Sequence, residues 1–437
     1  MNRQDQIRPD LCPEPWQRMV VGLSGQVVPC CFRPWKDAFG NLKHQSWQEI
    51  WNGEHYQKLR SQMKELGHEG ACPDCLIRKT NGIPPLAVKP ELIQGQAPYA
   101  INARLLLKEY VEAQPVLEAK CTSLTLSPSG KCNLRCIQCA QREAHFYKES
   151  IGENSLKAMQ ELLPVLDVLG LGGGEPMVMD EYRYCIDNIK NLGHVTFSLI
   201  TNGVLLDDDQ LSNILKFYSG DIGISVDAGS GDVYEKVRGG SWDTLHDNLV
   251  NLSQKRAKNP NIFFAGSYTI NKLNVLDLSN YIELCTSLKF SSCFYYVWHY
   301  PPDLRPDIFC DVDQETVGWE GAFTKALSLA EKFDDARFPE AFNKGKQYSM
   351  LPFLREYIQI ILDGMAKSRT YAPRRFFFGE KFAEKFVVIS DTATKKHIAY
   401  GYFDNTGNTT IRVPSEAYSA TIYDDRYLYN SLDVFHF

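Results

Sequence analysis

The sequence predicts an α/β fold with a cysteine-rich module in front and a small β-rich domain behind. Three observations carry that reading. Between about residues 119 and 335, six short β-rich runs alternate with helical stretches. Ahead of them, residues 1–80 hold four spaced cysteines: Cys12, Cys30, Cys72 and Cys75. After about residue 371 the helical pattern stops, and short strands separated by turn signals take over.

In chain order, the first module contains the turn GLSGQVVPCC, with Gly25 five residues before Cys30. Ser46 and Glu49 form a capping-box pattern. Leu59, Met63 and Leu66 recur at helical spacing, and Gly67 suits a helix stop. Residues 81–118 hold Pro84, Pro85, Pro90, Pro98 and Pro115 and read as a connector with one helix at ARLLLKEYVEA. The six β-rich runs that follow are CTSLTLSP, DVLGLGG, HVTFSLIT, DIGISVD, NIFFAGSYTI and SSCFYYVWHY. Stretches such as EYRYCIDNIKNLG and SNYIELCTSLK separate them as helices. Strands joined by helices imply parallel pairing and right-handed crossovers. Six strands fall short of a complete eight-stranded barrel, and functional groups are expected at the C-terminal strand ends. Residues 336–370 hold the helical run MLPFLREYIQIILDGMAK. KFVVIS, HIAYGYF, TTIRV and SATIYDD supply the strands of the last domain, 371–437.

Apolar content of 44% and charged content of 23% are those of an ordinary soluble protein. A net charge of -6 gives no reason to expect nucleic acid. No apolar run reaches the ~18 residues of a membrane span. The polar N-terminus MNRQDQIRPDLCPEPW has no signal-peptide core. Thirteen cysteines in such a chain point to metal ligation in a reducing, cytoplasmic setting.

The chemistry centres on Cys132, Cys136 and Cys139 in CNLRCIQC. Three thiolates spaced C-x3-C-x2-C suit three corners of a cubane iron–sulfur cluster and leave one iron open. Ordinary electron-transfer clusters take four cysteines, and structural zinc sites four ligands. The trio alone also allows a zinc knuckle completed by a distant residue. Gly172, Gly173, Gly174, Glu175 and Pro176 follow the second β-rich run, Thr201, Asn202 and Gly203 the third. Ser225 and Asp227 end the fourth, one strand period apart and so on one face. Arg238 lies in YEKVRGG. Cys121, Cys185, Cys285 and Cys293 sit among apolar neighbours and read as core.

The trio followed in order by GGE, TNG and SVD resembles the signature of the radical S-adenosylmethionine (radical SAM) superfamily. Gln138 is a departure, because the family usually has an aromatic residue before the last cysteine. The resemblance implies a partial (β/α)6 TIM-like barrel. It implies a 4Fe–4S cluster whose open iron binds SAM and cleaves it to a 5′-deoxyadenosyl radical. Gly173, Gly174, Glu175, Asn202, Ser225, Asp227 and Arg238 become the candidate SAM contacts. Residues 10–80 resemble a SPASM domain through the C…G-x4-C element, the WN helix start and the closing C-x2-C. That resemblance implies an auxiliary 4Fe–4S cluster on Cys12, Cys30, Cys72 and Cys75, with Cys31 as neighbour or substitute. A zinc ribbon is the alternative for this set. The module normally follows the barrel, and here it comes first. Its cluster is expected to face the C-terminal strand ends, where it could exchange electrons with substrate. The implied function is hydrogen abstraction from a peptide or a small molecule such as a sugar, fed by a donor such as flavodoxin or ferredoxin. The alternative is a non-catalytic iron–sulfur or electron-transfer protein.

Overall fold

The structure, a computed structural model, describes residues 11–72, 92–139 and 150–296 with breaks at 31–32, 34–36, 190, 216–219 and 257–261. It also describes the helix Gln314–Phe342, the strands between 372 and 436 and isolated residues elsewhere. Two compact units make up the chain. The first comprises Met1–Asn133, Gln141–Ile224 and Gln254–Phe264, and the second Leu134–Ala140, Ser225–Ser253 and Ala265–Phe437.

The sheet of the first unit contains β1 (Arg18–Val21), β2 (Gln26–Val28), β3 (Gly40–Asn41), β4 (Ser123–Leu126), β5 (Val168–Leu171), β6 (Thr196–Thr201) and β7 (Gly220–Ser225). Their order is β3-β2-β1-β4-β5-β6-β7. From β4 to β7 all pairs are parallel. The helices Glu153–Leu162, Asp180–Ile189 and Asp208–Leu215 make the crossovers. Strand alternation divides the two faces. Leu124, Leu126, Leu169, Leu171, Phe197, Leu199, Ile222 and Ile224 are buried on one. Thr125, Gly170 and Ser198 stand side by side on the other. Ile200 and Gly223 extend that face, and Ile200 is 57% exposed. Thr125, Ser198 and Gly223 are half-buried and Gly170 is buried, so this small-residue face is the less closely packed side of the sheet.

The parallel pairing of β1 with β4, from Arg18↔Ser123 to Val21↔Leu126, is absent from the sequence reading. The cysteine-rich module is not a bead on a connector; it adds strands to the barrel sheet. Arg18 Nε donates to Ser123 Oγ at 3.0 Å, and Ser127 N donates to Val21 O at 3.0 Å. β2 and β3 continue the sheet antiparallel. The Ser46–Glu49 capping box forms as expected. Gly67, at φ 66°, breaks the helix Glu54–Ala71 one turn before its end. The WN pair clamps the chain ahead of β4. Trp51 Nε1 donates to Ala119 O, while Asn52 exchanges hydrogen bonds with both the C=O and N–H of Leu117. Arg60, fully buried, donates to Pro15 O, Pro115 O and Asn52 Oδ1. Its guanidinium carbon lies 4.6 Å from the Trp51 ring centroid. Burial lowers its pKa to about 10, so it stays charged at neutral pH.

In the second unit, β8 (Ile262–Ile270) pairs in parallel with β9 (Ser291–Tyr296) over Ala265–Ile270. Strands β4 to β9 are the six read from sequence. The helix Pro98–Val111 is the one expected in the connector. Cys121, Cys185 and Cys285 are core residues, while the side chain of Cys293 lies outside the described residues. The C-terminal domain has β10 (Ala372–Phe377), β11 (Phe386–Asp391), β12 (His397–Tyr402), β13 (Asn408–Val413), β14 (Tyr418–Tyr423) and β15 (Ser431–His436). They form an antiparallel sheet β12-β11-β14-β15 and a pair β10-β13. The helical run at 350–367 lies outside the described residues except for Ile358. No helix among the described residues is long and apolar enough to cross a membrane.

Replacing Arg60 with Met is expected to cost ~2–4 kcal/mol, because it strands buried acceptors. Denaturant unfolding of the apoprotein measures it, with the exposed Lys58→Met as a control expected within ~0.5 kcal/mol of wild type.

Candidate functional site

In the first unit, the chain leaving β4 runs directly under the glycine loop that follows β5. Gly174 N donates to Ser129 O at 2.9 Å and Glu175 N to Lys131 O at 2.8 Å. A Cβ on Gly174 would lie 1.9 Å from Lys131 O, and one on Gly173, at φ 102°, 2.7 Å from Ser129 O. Glycine is required because backbone meets backbone with no room between. Cys132 follows immediately.

Glu175 does not present its carboxylate to a ligand. It is fully buried and accepts from Thr201 Oγ1 at 2.8 Å, Asn202 N at 2.8 Å and Met177 N at 3.3 Å. Asn202 then donates through Nδ2 to Asn133 Oδ1 at 2.7 Å and reaches Cys132 Sγ at 3.9 Å. GGE and TNG therefore form one hydrogen-bonded body against the residue beside Cys132. That joint role was not legible in the motifs taken singly.

In the second unit, Leu134–Cys139 rests on the end of the helix Gly231–Arg238. Ile137 N donates to Val237 O at 3.0 Å. Gly239 caps the helix at φ 71°, and a Cβ on Gly240 would meet Leu134 Cδ2 at 2.9 Å. Asp227 is nearly fully buried and held at φ 55°, a left-handed conformation that aspartate tolerates better than most residues. Its Oδ2 accepts from Gln138 Nε2 at 2.7 Å and Arg238 Nη1 at 2.9 Å. Its Oδ1 accepts from Thr269 N at 2.6 Å, and its carbonyl from Asn274 Nδ2 at 3.0 Å. The left-handed turn takes Asp227 out of strand alternation. Ser225 stays half-buried while Asp227 is buried. Burial acts to lower the pKa of Arg238, but the surrounding Cys136, Asp227, Tyr234 and Cys139 outweigh it and hold the guanidinium protonated. Arg238 and Asp227 are 12% and 2% exposed. Losing one partner of such a pair leaves an uncompensated charge, about 3–5 kcal/mol.

The N-terminal cysteines lie elsewhere in the first unit. Burial raises the Cys12 pKa, and Glu14, Cys30 and Cys72 add to the rise, so these cysteines share one neighbourhood. Cys75 and Cys31 lie outside the described residues. Tyr56 donates to Arg18 O and lies within electrostatic reach of Cys121, Cys30 and Glu14. All of these belong to the N-terminal ends of β1 and β4. Cys132 follows the C-terminal end of β4. The turn between β1 and β2 points the other way, with Leu23 beside Gly173. The expectation that the auxiliary set faces the C-terminal strand ends is therefore not met by Cys12, Cys30 and Cys72, its described members. The parallel register of β1 on β4 puts it at the opposite end, with the four residues of β4, roughly 10–13 Å at ~3.3 Å each, in between.

Both sets fit iron–sulfur chemistry. Each is a thiol donor set, none of the described cysteines is in a disulfide, and a protonated guanidinium stands by Cys136 and Cys139 to balance thiolate charge. Among the described residues, no three His, Cys, Asp or Glu side chains converge as they would around a bound ion. Gln138 Oε1 is buried beside the cysteines without a hydrogen-bond partner among the described residues, an acceptor suited to a ligand N–H.

Comparison with known proteins agrees with this division. The model of the radical SAM superfamily matches residues 126–285, and that of the SPASM iron–sulfur cluster-binding domain residues 12–76. A probable GTP 3′,8-cyclase of Methanothermobacter thermautotrophicus is 38% identical over 90 residues, 20% of this chain and 28% of the relative. Its namesake in Methanococcus aeolicus is 28% identical over 172 residues, 36% and 54% of the two chains. The chain thus spans about half or less of the length of these relatives. Streptococcus suis SuiB bound to the precursor peptide SuiA is similar at 14% identity, covering 82% of this chain and 70% of that one, with a TM-score of 0.35.

Gly174→Ala is expected to push the loop off Lys131, at ~1–3 kcal/mol or more, and to lower iron retention at the trio. Gly172→Ala is the control, since its Cβ would meet only Ser127 Oγ at 3.9 Å. Iron per chain after anaerobic reconstitution, with thermal unfolding, reads both.

Proposed function

We propose that this chain, whose residues 126–285 match the radical SAM superfamily and residues 12–76 the SPASM domain, cleaves SAM reductively at a 4Fe–4S cluster on Cys132, Cys136 and Cys139 and abstracts hydrogen from a peptide or small-molecule substrate. The observation that carries this is the backbone lock of Gly174 and Glu175 onto Ser129 and Lys131, which fixes the glycine loop where the cysteine loop begins. When bound, the cluster supplies one electron and SAM the radical that takes the hydrogen.

The protein's own residues position and exclude. Gly173 and Gly174 let the loop lie directly on the Ser129–Lys131 backbone, Asn202 steadies the loop at Asn133, and Ser225 is left half-buried at the end of its strand. The small side chains of the face formed by Thr125, Gly170, Ser198 and Gly223 leave room for a substrate and offer hydroxyls to a polar one. Relatives named for GTP match 20% and 36% of this chain, which makes GTP a compound to test rather than the assigned substrate. A second 4Fe–4S cluster on Cys12, Cys30, Cys72 and Cys75 sits at the strand N-termini. There it serves as a relay from an external donor such as flavodoxin or ferredoxin, or as a staple of the module. A reducing cytoplasm suits both clusters.

Anaerobically reconstituted protein is expected to hold about eight irons per chain, two cubanes. Replacing Cys132, Cys136 and Cys139 with Ala should remove about half of them and abolish 5′-deoxyadenosine formation. SAM should alter the electron paramagnetic resonance of the reduced wild type. A loaded, reduced enzyme that never releases 5′-deoxyadenosine overturns the proposal.

The auxiliary site gives a separate expectation. The double variant Cys12→Ala, Cys30→Ala should lose about four irons yet still form 5′-deoxyadenosine with dithionite as reductant. Loss of SAM cleavage, with the trio cluster still loaded, would instead tie the second cluster to the chemistry itself.

A further inference from the structure

Gln138 stands where the family has an aromatic residue, and the structure gives it a different task. Its amide N–H donates to the Asp227 oxygen that also accepts from Arg238, 2.7 Å and 2.9 Å away. Asp227 has its other oxygen on Thr269 N, its carbonyl on Asn274 and its N–H on Ser267 O. Both carboxylate oxygens are thus committed to the protein. The loop bearing Cys136 and Cys139 is fastened to the Arg238 segment a second time through Ile137 and Val237. A buried cation and a buried anion are held in fixed places beside two cluster ligands, and a neutral amide joins the anion to the residue next to Cys139.

We propose that Gln138, Asp227 and Arg238 are a positioning set that fixes an ion pair beside Cys136 and Cys139 and thereby sets how readily their cluster accepts an electron. This rests on the radical SAM reading of the trio. The step concerned is one electron passing from an external low-potential donor to the oxidised cluster, with no bond made and no proton moved. A fixed cation stabilises the added negative charge and a fixed anion opposes it. In a buried site neither is well screened by solvent ions.

The two charges therefore give opposite signs, which a purely structural role would not. In the reconstituted holoenzyme, a mediated redox titration followed by electron paramagnetic resonance reads the SAM-responsive cluster. Arg238→Gln should make it harder to reduce by at least tenfold in equilibrium constant, which is about 59 mV for one electron. Asp227→Asn should move it in the opposite direction. Gln138→Leu removes a dipole rather than a charge and should move it less than either. Arg238→Lys keeps the charge and should return the potential close to wild type. That variant with Asp227→Asn decides the matter if Arg238→Gln fails to load iron. Potentials that coincide with wild type, or that move the same way for the Arg238 and Asp227 variants, overturn the inference. A wild-type protein that builds no cluster on the trio would overturn the radical SAM reading itself, so the two failures are distinguishable.

Discussion

The site depends on two stretches of backbone lying against each other with nothing between them. Ser129–Lys131 and Gly173–Glu175 approach so closely that one methyl group at Gly174 would overlap a carbonyl. The contact converts the end of β4 and the end of β5 into a single floor. Cys132 then starts from a defined place. Glu175 extends the floor to β6 by accepting from Thr201 and Asn202, so three successive strand ends are bonded in series, β4 to β5 through backbone and β5 to β6 through one carboxylate. A floor made this way has its own donors and acceptors satisfied internally, which suits a surface that must hold its shape before any ligand arrives.

Within the second unit the constraint is one of charge. Asp227 occupies a backbone conformation few residues tolerate, and its three donors, Thr269, Arg238 and Gln138, come from three different segments. The carboxylate is a knot rather than a hand held out to a ligand. This redistributes the roles of the motif residues. Several that look like ligand contacts in a linear pattern have their side chains committed to hydrogen bonds within the protein. Glu175 and Asp227 are the clearest cases. Where such side chains are charged, they also act on whatever the cysteines hold, since fields inside a protein are not confined to hydrogen-bonded neighbours.

Much of this was legible in the sequence because it is local. Cysteine spacing, the glycine loop, the capping box of Ser46 and Glu49 and the alternating pattern of β4 to β9 each depend on residues close together in the chain. What was illegible is non-local. The bond from Gln138 to Asp227 spans 89 residues, and Arg18 meets Ser123 across 105. No periodicity announces such pairings. The same blindness produced the error over the auxiliary cysteines. A connector long enough to reach either end of the barrel left the choice to strand register, which only the folded chain reveals. β10 escaped notice because Pro373, Arg374 and Arg375 interrupt any apolar alternation, yet its backbone pairs with β13 over its whole length.

The pairing of β1 with β4 also bears on how the chain can be made and cut. Without its partner, β4 would be an edge strand of a parallel sheet, with a row of unpaired amides and carbonyls open to any extended chain nearby. β1 covers that edge, β2 covers β1, and the exposed rim is passed to β3, two residues long and followed by a turn. A rim that short offers little for another molecule to add to. The N-terminal module is thus a selvedge for the barrel as well as a carrier of cysteines. On the ribosome β1 emerges 105 residues ahead of the strand it borders, counted from Arg18 to Ser123, a delay that favours keeping the module's own hairpin and helices folded in the meantime. A barrel expressed without it would keep every residue of its CNLRCIQC, GGE, TNG and SVD motifs and still carry an open edge at β4.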